Sequence, residues 1–483
     1  MNRLLFLLAM LCTLGANPHT DLDALRYSQS SLPGTARFTS MGGAFTAVGG
    51  DFSSLSQNPA GMAIYRRSEL TFTPSIYAGK TSSTFLGNTA DDSRYNFNIA
   101  NAGFVFTQPL TKNDEGEGWK SWNFGIGLNR INNFHSRSFY EGFNLDNSFT
   151  DYLAQQAQGV GYENLDGYYE YLGYYTYLIN PDSLNNYTSA VPFGHVTQRR
   201  SSEKRGAITE TAFSVSGNYS NKLFLGATLG FNSLRYTEES TYEELDEQNL
   251  VDSLKQFQFD QSLTTRGVGV NLKFGMIYWI NEYVRFGAAV HTPTWYNMND
   301  SYQNTMQSRF DGGYTARKQS PSGTFDYYMT TPFRAMGGLA FVFNQYGLVS
   351  ADYEFNDIST ARISATGFSF ADVNNEIRRK YTATNTVRIG TEWRINNFTI
   401  RAGGGLTSSP MNSKYAVSGA DFSQKSLTAG FGVRDKNVFL DFGYAYTETK
   451  GYLQPYTLNF LEVAGVRETM VRSNFTMTFG VKF

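Results

Sequence analysis

The residues that most often carry chemistry are scarce in this chain of 483 residues. It contains one cysteine, Cys12, and four histidines, at positions 19, 135, 195 and 291. Covalent catalysis needs a nucleophile beside a base, and a metal site needs clustered ligands. None of the histidines has a neighbour at metal-ligand spacing. We therefore predict no catalytic residue, no metal and no cofactor, and we do not expect an enzyme.

Charged side chains recur at alternate positions of several apolar segments in the second half of the chain. Alternate residues of a strand share one face. The residues that would share an inner face are Arg285, Arg334, Asp352, Glu354, Arg388, Glu392, Arg401, Arg434 and Asp441. Arg334, Arg388 and Arg401 could bind a carboxylate headgroup. The alternative, which we favour, is that these charges pair with one another across a wet interior.

A second group of residues is a tyrosine cluster between positions 135 and 206. Its members are Tyr168, Tyr169, Tyr171, Tyr174, Tyr175 and Tyr177. Tyrosine combines a rigid apolar ring with a polar tip, which suits the tail and head of an amphiphile. The cluster predicts a capture site for an apolar solute, with Tyr168, Tyr171, Tyr174 and Tyr175 as candidates. An interface with lipopolysaccharide or a partner protein is the open alternative.

Near the N-terminus, residues 34–62 form a segment rich in Gly, Ala, Ser and Thr. Pro59 fixes its own φ and biases Asn58 towards an extended or turn conformation. Asn58, Pro59, Ala60 and Gly61 are therefore predicted to form a sharp bend. Large apolar residues recur throughout the segment, which favours a compact, buried structure over a flexible leader.

The first residues have the pattern of an export signal. Arg3 precedes an apolar run from position 4 to 14, and Gly15 and Ala16 follow it. This predicts a cleaved signal peptide over residues 1–16. The run is too short for a transmembrane helix, which needs about 20 apolar residues. Cys12 lies within the signal, so the mature chain is expected to have no thiol.

The amino-acid composition restricts the possible partners and the fold class. The 40 basic and 42 acidic residues nearly balance, which argues against nucleic acid as a partner. Aromatic residues reach 16% and are accompanied by 46 glycines. Abundant Tyr and Phe, with Gly and few long apolar runs, indicate many strands.

Apolar and polar residues alternate in about fourteen segments from position 68 onwards. They lie near 68–77, 96–107, 121–134, 207–219, 222–237, 264–280, 283–292, 331–343, 346–357, 381–395, 397–406, 424–434, 437–448 and 472–483. Most have ten or more residues, close to the roughly 9–11 that a tilted membrane strand needs. In the later segments Leu440, Phe442, Phe475 and Met477 are predicted to face lipid, so Arg at Leu440 should be costlier than Arg at Asp441.

The connections between these segments alternate between short turns and long loops. Predicted loops cover 78–95, 135–206, 238–263, 293–330, 358–380, 407–423 and 449–471, and the only long link on the short-turn side is 109–120. Such sorting is typical of outer-membrane barrels. The predicted fold is all-β: a transmembrane antiparallel β-barrel of about fourteen strands over residues 68–483. A lumen of this size needs a filling, so residues 17–67 are predicted to be an N-terminal hatch, or plug, inside the barrel.

The segments Gly34-Thr-Ala-Arg37, Met41-Gly-Gly-Ala-Phe-Thr-Ala-Val48 and Asn58-Pro-Ala-Gly61, ahead of such a barrel, resemble the FadL/TodX family. That family consists of outer-membrane transporters of long-chain fatty acids and other hydrophobic compounds. The resemblance implies passive diffusion through a hatch-gated barrel to a lateral gap beside a kinked third strand. Asn58, Pro59 and Ala60 would then face the gap. Gly125 and Gly127 are candidates for the bend, or they make room for the hatch.

The resemblance also implies a location and partners. We expect the outer membrane of a Gram-negative bacterium, a fatty acid-like hydrophobic ligand, contact with outer-membrane lipids and lipopolysaccharide, and a monomer. The closing Phe483 matches the terminal aromatic residue that the barrel assembly machinery recognises. The alternative function is a porin or a surface-binding barrel whose plug is purely structural.

Overall fold

The computed structural model describes residues 21–29, 31, 34–110, 117–415 and 421–483. Strands dominate these ranges. Among the helices of the described residues, none is both long and apolar enough to cross a membrane. The predicted signal peptide, residues 1–16, lies outside the described residues.

The strands follow one another in chain order. The first eleven are β1 (Glu69–Phe85), β2 (Asn88–Pro109), β3 (Trp119–Asn133), β4 (Ser136–Asn144), β5 (Ile179–Pro181), β6 (Tyr187–Ser189), β7 (Val196–Tyr219), β8 (Leu223–Leu245), β9 (Leu254–Trp279), β10 (Val284–His291) and β11 (Trp295–Phe310). The others are β12 (Thr315–Gln319), β13 (Gly323–Thr330), β14 (Arg334–Phe343), β15 (Gly347–Asp357), β16 (Arg362–Ser364), β17 (Ala383–Ile395), β18 (Phe398–Thr407), β19 (Gln424–Arg434), β20 (Val438–Leu453) and β21 (Val466–Lys482).

The main sheet closes on itself because β1 pairs with both β2 and β21. The closing pairs run from Glu69 opposite Lys482 to Thr84 opposite Arg467. All pairings are antiparallel, and four of the fourteen barrel positions are occupied by successive strands: β3 with β4, β10 with β11, β13 with β14, which β12 precedes, and β15 with β16. The predicted fourteen-stranded barrel is confirmed.

Two of these double positions are interrupted side by side at a proline. Thr292-Pro293-Thr294 separates β10 from β11, and Thr331-Pro332-Phe333 separates β13 from β14. Proline has no N–H to give to the ladder. The two interrupted strands remain hydrogen-bonded at this point, because the amide of Thr331 donates to the carbonyl of Thr294 at 3.1 Å.

Side chains in the lower half of the barrel alternate as the sequence predicts. In β20, Leu440, Phe442 and Tyr444 point outwards, whereas Asp441 is fully buried on the inner side. In β21, Phe475 is 53% exposed. Large apolar side chains therefore cover the outer face of these strands, and small or polar side chains cover the inner face.

The outer ends of the strands reach well beyond the predicted limits. The strands β7, β8 and β9 have 24, 23 and 26 residues. The predicted loops 78–95, 238–263 and 293–330 are therefore wrong, because most of their residues are strand. The outer end of β7 is polar on both faces, as in residues 198–205 (QRRSSEKR), and those of β8 and β9 combine many polar residues with a few buried aromatic ones such as Tyr242 and Phe257. They therefore lack the sustained apolar alternation by which strands are predicted.

Short helices lie before the barrel and within its outer connections. They are α1 (Asp21–Ser28), α2 (Ala36–Ser40), α3 (Phe149–Ala157), α4 (Glu170–Tyr175) and α5 (Ala371–Lys380), with 3-10 turns at Phe52–Leu55 and Pro59–Ile64. Three polar residues cap the N-terminal elements: Thr35, Asp51 and Asn58 accept hydrogen bonds from the amides of Phe38, Ser53 and Ala60. These caps satisfy N–H groups that a short helix leaves open.

Residues 34–67 fill the lower barrel and are called the plug below. Their apolar side chains form two clusters with inward residues of the wall: Phe38, Met41, Phe45 and Val48 with Ala340 and Leu348, and Phe52, Leu55 and Met62 with Val105 and Ala212. The predicted compact, buried segment is confirmed.

The plug is also hydrogen-bonded to the last strands of the barrel. The backbone amide of Ala36 donates to Thr478 Oγ1 of β21 at 2.7 Å. Thr428 of β19 donates to the carbonyl of Ser40 at 2.8 Å. The beginning of the plug is thus fixed against the end of the chain.

A separate apolar cluster covers the outer end of the barrel. The helices α3 and α4 and the β5–β6 ribbon pack against the extended ends of β8, β9 and β11. The buried members include Phe149, Leu153, Leu172, Phe257 and Met306. The predicted 135–206 loop therefore contains a folded cap.

Candidate functional site

The bend at residues 58–61 is tightly held. Asn58 is 1% exposed, and its side-chain amide donates to the carbonyl of Thr46 at 2.6 Å and to that of Met276 in β9 at 3.2 Å. Pro59 begins the 3-10 turn, where a missing N–H costs nothing. The side chain of Asn58 therefore ties one part of the plug to another and to the wall.

The wall is shaped to receive this bend. A Cβ atom at Gly226 of β8 would collide with the backbone of Pro59, and one at Gly275 of β9 would collide with the Asn58 side chain. Asn58, Pro59 and Ala60 thus lie against β8 and β9. The resemblance implied that they face the gap beside the third strand, and the structure places other residues there.

The second and third barrel strands separate half-way up the wall. Their ladder runs from Pro109 opposite Ser121 to Asn101 opposite Asn129. Above that pair, among the described residues, positions 88–100 pair only with β1 and positions 130–144 pair only with β7. The register of the third strand shifts above Arg130. The backbone ladder of the wall is therefore interrupted above Asn101 and Asn129, and this interruption is called the wall gap below.

Asparagine side chains surround the wall gap. Asn101 donates to Asn129 at its lower edge, and the side chains of Asn96 and His135 meet at 3.2 Å at its upper edge. Asn98, Asn132 and Asn133 lie buried between these edges. The plug reaches the lower edge through Ser56, whose Oγ accepts a hydrogen bond from Asn129 at 2.7 Å.

A cavity of about 220 Å³ lies inside the barrel beside the wall gap. The helix α1 forms one wall through Leu25 and Arg26, and Phe134 and Tyr236 form another. The Arg26 guanidinium lies 4.3 Å from the centre of the Tyr236 ring. This inner cavity combines apolar walls with cationic groups, a suitable surface for an apolar or amphiphilic molecule.

A second cavity, of about 490 Å³, lies beneath the outer cap. Its lining is mainly aromatic and consists of Tyr140, Phe149, Tyr152, Tyr169, Tyr242, Phe259 and Tyr456, with Arg200 and Glu170 among the polar groups. Burial raises the pKa of the Glu170 carboxyl to about 7. This outer cavity offers several rigid rings to a ligand.

The two cavities and the wall gap adjoin one another. Arg200 and Leu453 line both the outer and the inner cavity. Asn132 and Asn133 belong to both the inner cavity and the edge of the wall gap. The outer and inner cavities therefore adjoin one another, and the inner cavity lies next to residues at the edge of the wall gap.

The predicted headgroup residues are engaged by carboxylates. Arg388 lies 2.7 Å from Glu354, and the Nε of Arg334 donates to the same residue at 3.0 Å. Arg401 contacts Glu392 and Asp441, each at 2.7 Å. This is the pairing alternative that the sequence left open.

One of these carboxylates also holds the plug. Arg37 of the plug contacts Glu392 at 2.7 Å. Asp352 accepts hydrogen bonds from the amide and the hydroxyl of Thr46, at 2.8 and 2.7 Å. The inward charges thus form a network that fixes the plug to the wall.

Within the described residues, no group of His, Cys, Asp and Glu side chains could hold a metal ion. His291 contacts the carbonyl of Gln57 at 2.9 Å, and His135 contacts Asn96 and Asn133. These imidazoles act as structural hydrogen-bonding groups.

Searches by sequence find no matching family model and no matching curated protein. Solved structures do match. The toluene transporter TodX of Pseudomonas putida aligns at a TM-score of 0.54 and 15% identity, over 94% of this chain and 99% of that chain. A Pseudomonas aeruginosa FadL homologue gives 0.57 and 11%, with the same coverages. The Ralstonia pickettii toluene transporter TbuX gives 0.52 and 16%, again with 94% and 99%. The chain has the fold of these transporters.

The predicted capture tyrosines lie on the cap but outside the outer cavity. Tyr168 packs against Tyr302 with ring centres 4.9 Å apart, and Tyr174 stacks on Tyr162 at 5.5 Å. The amine of Lys318 lies 5.3 and 4.4 Å from the rings of Tyr171 and Tyr175. Of the tyrosine cluster, Tyr169 lines the outer cavity, and the other aromatic residues of its lining come from outside that cluster.

The two candidate glycines of the third strand lie under the plug. A Cβ at Gly125 would fall 2.6 Å from the sulfur of Met62, and one at Gly127 would collide with Phe52. Both glycines lie in the regularly paired part of β3, whereas the register shift comes at Arg130. Their position matches the second interpretation given above, room for the hatch.

Proposed function

We propose that the protein belongs to the FadL/TodX family and carries small hydrophobic molecules across the outer membrane of a Gram-negative bacterium. The shared fold supports this, since TodX and TbuX are toluene transporters. The barrel's apolar outer wall suits a bilayer. In this setting the short turns face the periplasm and the cap faces the exterior.

The observation that carries the proposal is that the outer and inner cavities share lining residues and that the inner cavity lies beside the wall gap. A molecule that leaves water gains about 25 cal/mol for each Å² of apolar surface that it buries. Aromatic walls in the outer cavity supply that surface. Because Arg200 and Leu453 line both cavities, a ligand can move inwards without returning to water.

The plug gives the route its direction. Residues 36–64 are packed against the inner wall below the inner cavity, so the way straight down is filled. The wall gap beside Asn132 and Asn133 leads sideways instead. We propose that the ligand leaves here, by passive diffusion into the apolar part of the outer membrane. Asn58, Pro59, Ala60 and Gly61 set the position of the plug.

Hydrocarbons and long-chain fatty acids are both proposed ligands. The aromatic lining accepts either. Arg200, placed where the cavities meet, adds a cation that can orient a carboxylate. Its guanidinium lies 3.4 Å from Glu238, which leaves other donors of the group for a ligand.

We further propose export through a cleaved signal peptide ending near Ala16 and insertion by the barrel assembly machinery, which would read Phe483. The protein would act as a monomer. Its extended outer strands and cap would project past the lipopolysaccharide headgroups.

A porin or a surface-binding barrel with a structural plug is the competing function. A porin needs a polar passage to the lower rim, and a surface receptor needs no inner cavity. The aromatic outer cavity alone would serve a receptor. Its connection to an inner cavity and to the wall gap favours transport.

Filling the inner cavity tests transport directly. Ser138 lines the inner cavity and is half-buried, so Ser138→Trp should occupy much of its volume. We expect uptake of a labelled long-chain fatty acid and of labelled toluene to fall at least tenfold at equal barrel abundance.

The matched control is Ser138→Ala, which removes the hydroxyl without adding volume and should leave uptake unchanged. Influx of a labelled pentose through the same cells reports on a polar passage. Normal uptake of fatty acid and toluene by Ser138→Trp would contradict the proposed route through the inner cavity. A parallel fall in pentose influx would favour a porin.

A further inference from the structure

A cavity of about 420 Å³ opens at the short-turn rim of the barrel, beneath the plug. The plug contributes Gly49 and Ile64 to its wall, and the turn between β14 and β15 contributes Asn344 and Gln345. The plug separates this rim cavity from the inner cavity described above. The route of a hydrophobic ligand therefore does not use it.

The rim cavity is strongly basic. Seven arginine and lysine side chains line it, whereas its carboxylates are only Glu69 and Glu392. The cations come from separate places in the chain, including Arg285 of β10, Arg394 of β17 and Arg434 of β19. Like charges gathered in a concave site produce a positive potential that attracts anions.

The two carboxylates are already engaged. Glu392 contacts Arg37 and Arg401, each at 2.7 Å. Glu69 lies 3.5 Å from Lys482 and accepts a hydrogen bond from Tyr65 at 3.1 Å. They cannot neutralise the remaining cations of the cavity.

Arg285 is the cation best placed for a ligand. Its guanidinium stacks on Trp279 at 4.1 Å from the ring centre, which fixes its plane. Among the described residues it has no hydrogen bond or ion pair, and its Nε is buried without an acceptor. Stacking leaves the edge of a guanidinium open for two parallel hydrogen bonds to an oxyanion.

We propose that the rim cavity binds a phosphate group, with Arg285 as its main anchor and Arg434 as a second donor. The buried Nε of Arg434 also lacks a partner in the described part of the chain. Arg434 also lies 3.5 Å from Asp441. Phosphate offers more acceptor oxygens and more charge than a carboxylate, which suits a cavity in which cations outnumber carboxylates. The ligand is either a free phosphate compound of the periplasm or the headgroup of a phospholipid at the inner face of the membrane.

Equilibrium dialysis of labelled inorganic phosphate against the purified full-length protein in neutral detergent tests the site. At constant ionic strength we expect saturable binding of one phosphate per chain. Arg285→Gln should weaken it at least tenfold. Because Trp279 touches Arg285, phosphate should also change the tryptophan fluorescence with the same concentration dependence.

Two further variants distinguish a specific phosphate site from non-specific attraction of phosphate by the basic surface. Gln345→Glu puts one negative charge at the exposed edge of the cavity and should weaken phosphate binding several-fold without touching the wall. Lys222→Gln removes a cation from another short turn and should leave binding unchanged. Equal binding by Arg285→Gln, or equal loss with Lys222→Gln, would overturn the proposal.

Phosphate binding in two kinds of nanodisc shows whether the natural ligand is a lipid headgroup or a free phosphate compound. If a lipid headgroup is the natural occupant, nanodiscs of anionic phospholipid should suppress phosphate binding relative to zwitterionic ones. If it is a free compound, both nanodiscs should behave alike. Hydrocarbon uptake is not measured in this experiment, so its failure would leave the proposed transport function untouched.

Discussion

Arg401 is among the largest side chains that the barrel buries completely. It joins two wall strands, because it contacts Glu392 of β17 and Asp441 of β20. Glu392 in turn holds Arg37 of the plug. Charges withdrawn from water depend on their partners, since a buried charge left alone is costly.

We therefore expect Arg401→Gln to lower the free energy of unfolding by about 3–5 kcal/mol, because it leaves two carboxylates under-compensated. Urea unfolding of the purified protein in detergent micelles gives the measurement. Lys80→Gln is the control, since Lys80 and Asp91 form an exposed pair whose loss should cost about 0–1 kcal/mol. Similar losses for the two variants would refute the role given to Arg401.

Glu170 gives the outer cavity a dependence on pH. Its pKa is raised to about 7 because burial disfavours the charged form. Below that pH the carboxyl is neutral, and an apolar ligand that covers it displaces less hydration. Binding of an apolar fluorescent probe should therefore be several-fold tighter well below pH 7 than well above it.

Glu170→Gln should bind the probe tightly at both pH values, because it imitates the protonated form. Glu163→Gln, in the same cap, removes a carboxyl from outside the cavity and should keep the pH dependence. If probe binding to Glu170→Gln depends on pH as it does in the natural protein, another titratable group causes the pH dependence.

At the scale of elements, the 3-10 turn Pro59–Ile64 decides how the plug packs. Gly61 has no room for a side chain: an added Cβ would collide with Ser54 and lie 2.9 Å from the Cα of Gly49. Residues 49 and 54 of the plug therefore both lie against Gly61. The turn can therefore be loosened without altering the barrel wall.

We expect Gly61→Ala to assemble in normal amount but to pass small polar solutes that the natural protein excludes. Planar-bilayer conductance measures the leak, and heat-modifiable gel migration measures assembly. Gly337→Ala is the matched control, because its Cβ would meet no atom within 4 Å. An unchanged conductance in Gly61→Ala would mean that the plug tolerates the added methyl group.

The elements were predictable where one strand face is apolar and the other is not. The lower halves of β20 and β21 show this alternation, and their orientation is confirmed. The outer end of β7 is polar on both faces and those of β8 and β9 carry few apolar residues, so their pairing depends on neighbouring strands. Local patterns hold no information on such ladders, so these ends were predicted as loops.

The site was predictable only in part. The plug and its bend at Asn58 follow from local composition. The outer cavity does not, because it joins Tyr152 and Tyr169 of the cap to Tyr242 of β8 and Tyr456 beyond β20. Residues so distant in sequence meet only through strand register. The asparagines of the wall gap likewise become a group only when β2 and β3 are placed side by side.

At the scale of the whole molecule, the outward apolar side chains form the surface that a bilayer would cover. Leu440 belongs to this band, and Leu440→Arg should cost about 2–4 kcal/mol of unfolding free energy at the membrane midplane. Leu440→Phe keeps the side chain apolar and should have little effect. Refolding into lipid vesicles across a urea series measures both.

The expectation that Arg at Asp441 costs less than Arg at Leu440 must be corrected. Asp441 is fully buried and contacts Arg401 at 2.7 Å, so a second cation there would meet the first. Asp441→Arg should therefore be the more damaging change. Equal refolding of Leu440→Arg and Leu440→Phe would contradict the lipid-facing assignment itself.

The hydrogen bond from Ala36 to Thr478 joins residues 442 positions apart. A chain made from its N-terminus produces the plug first and the strand that anchors it last. Residues 36–40 can therefore complete their contacts only after β19 and β21 have been made, whereas residues 56 and 58 bond to the earlier strands β3 and β9. Contacts so remote in sequence form slowly, because the intervening chain must first be brought together. Docking of the first part of the plug is thus expected to be a late step of assembly, and a chain truncated before β21 should lack it.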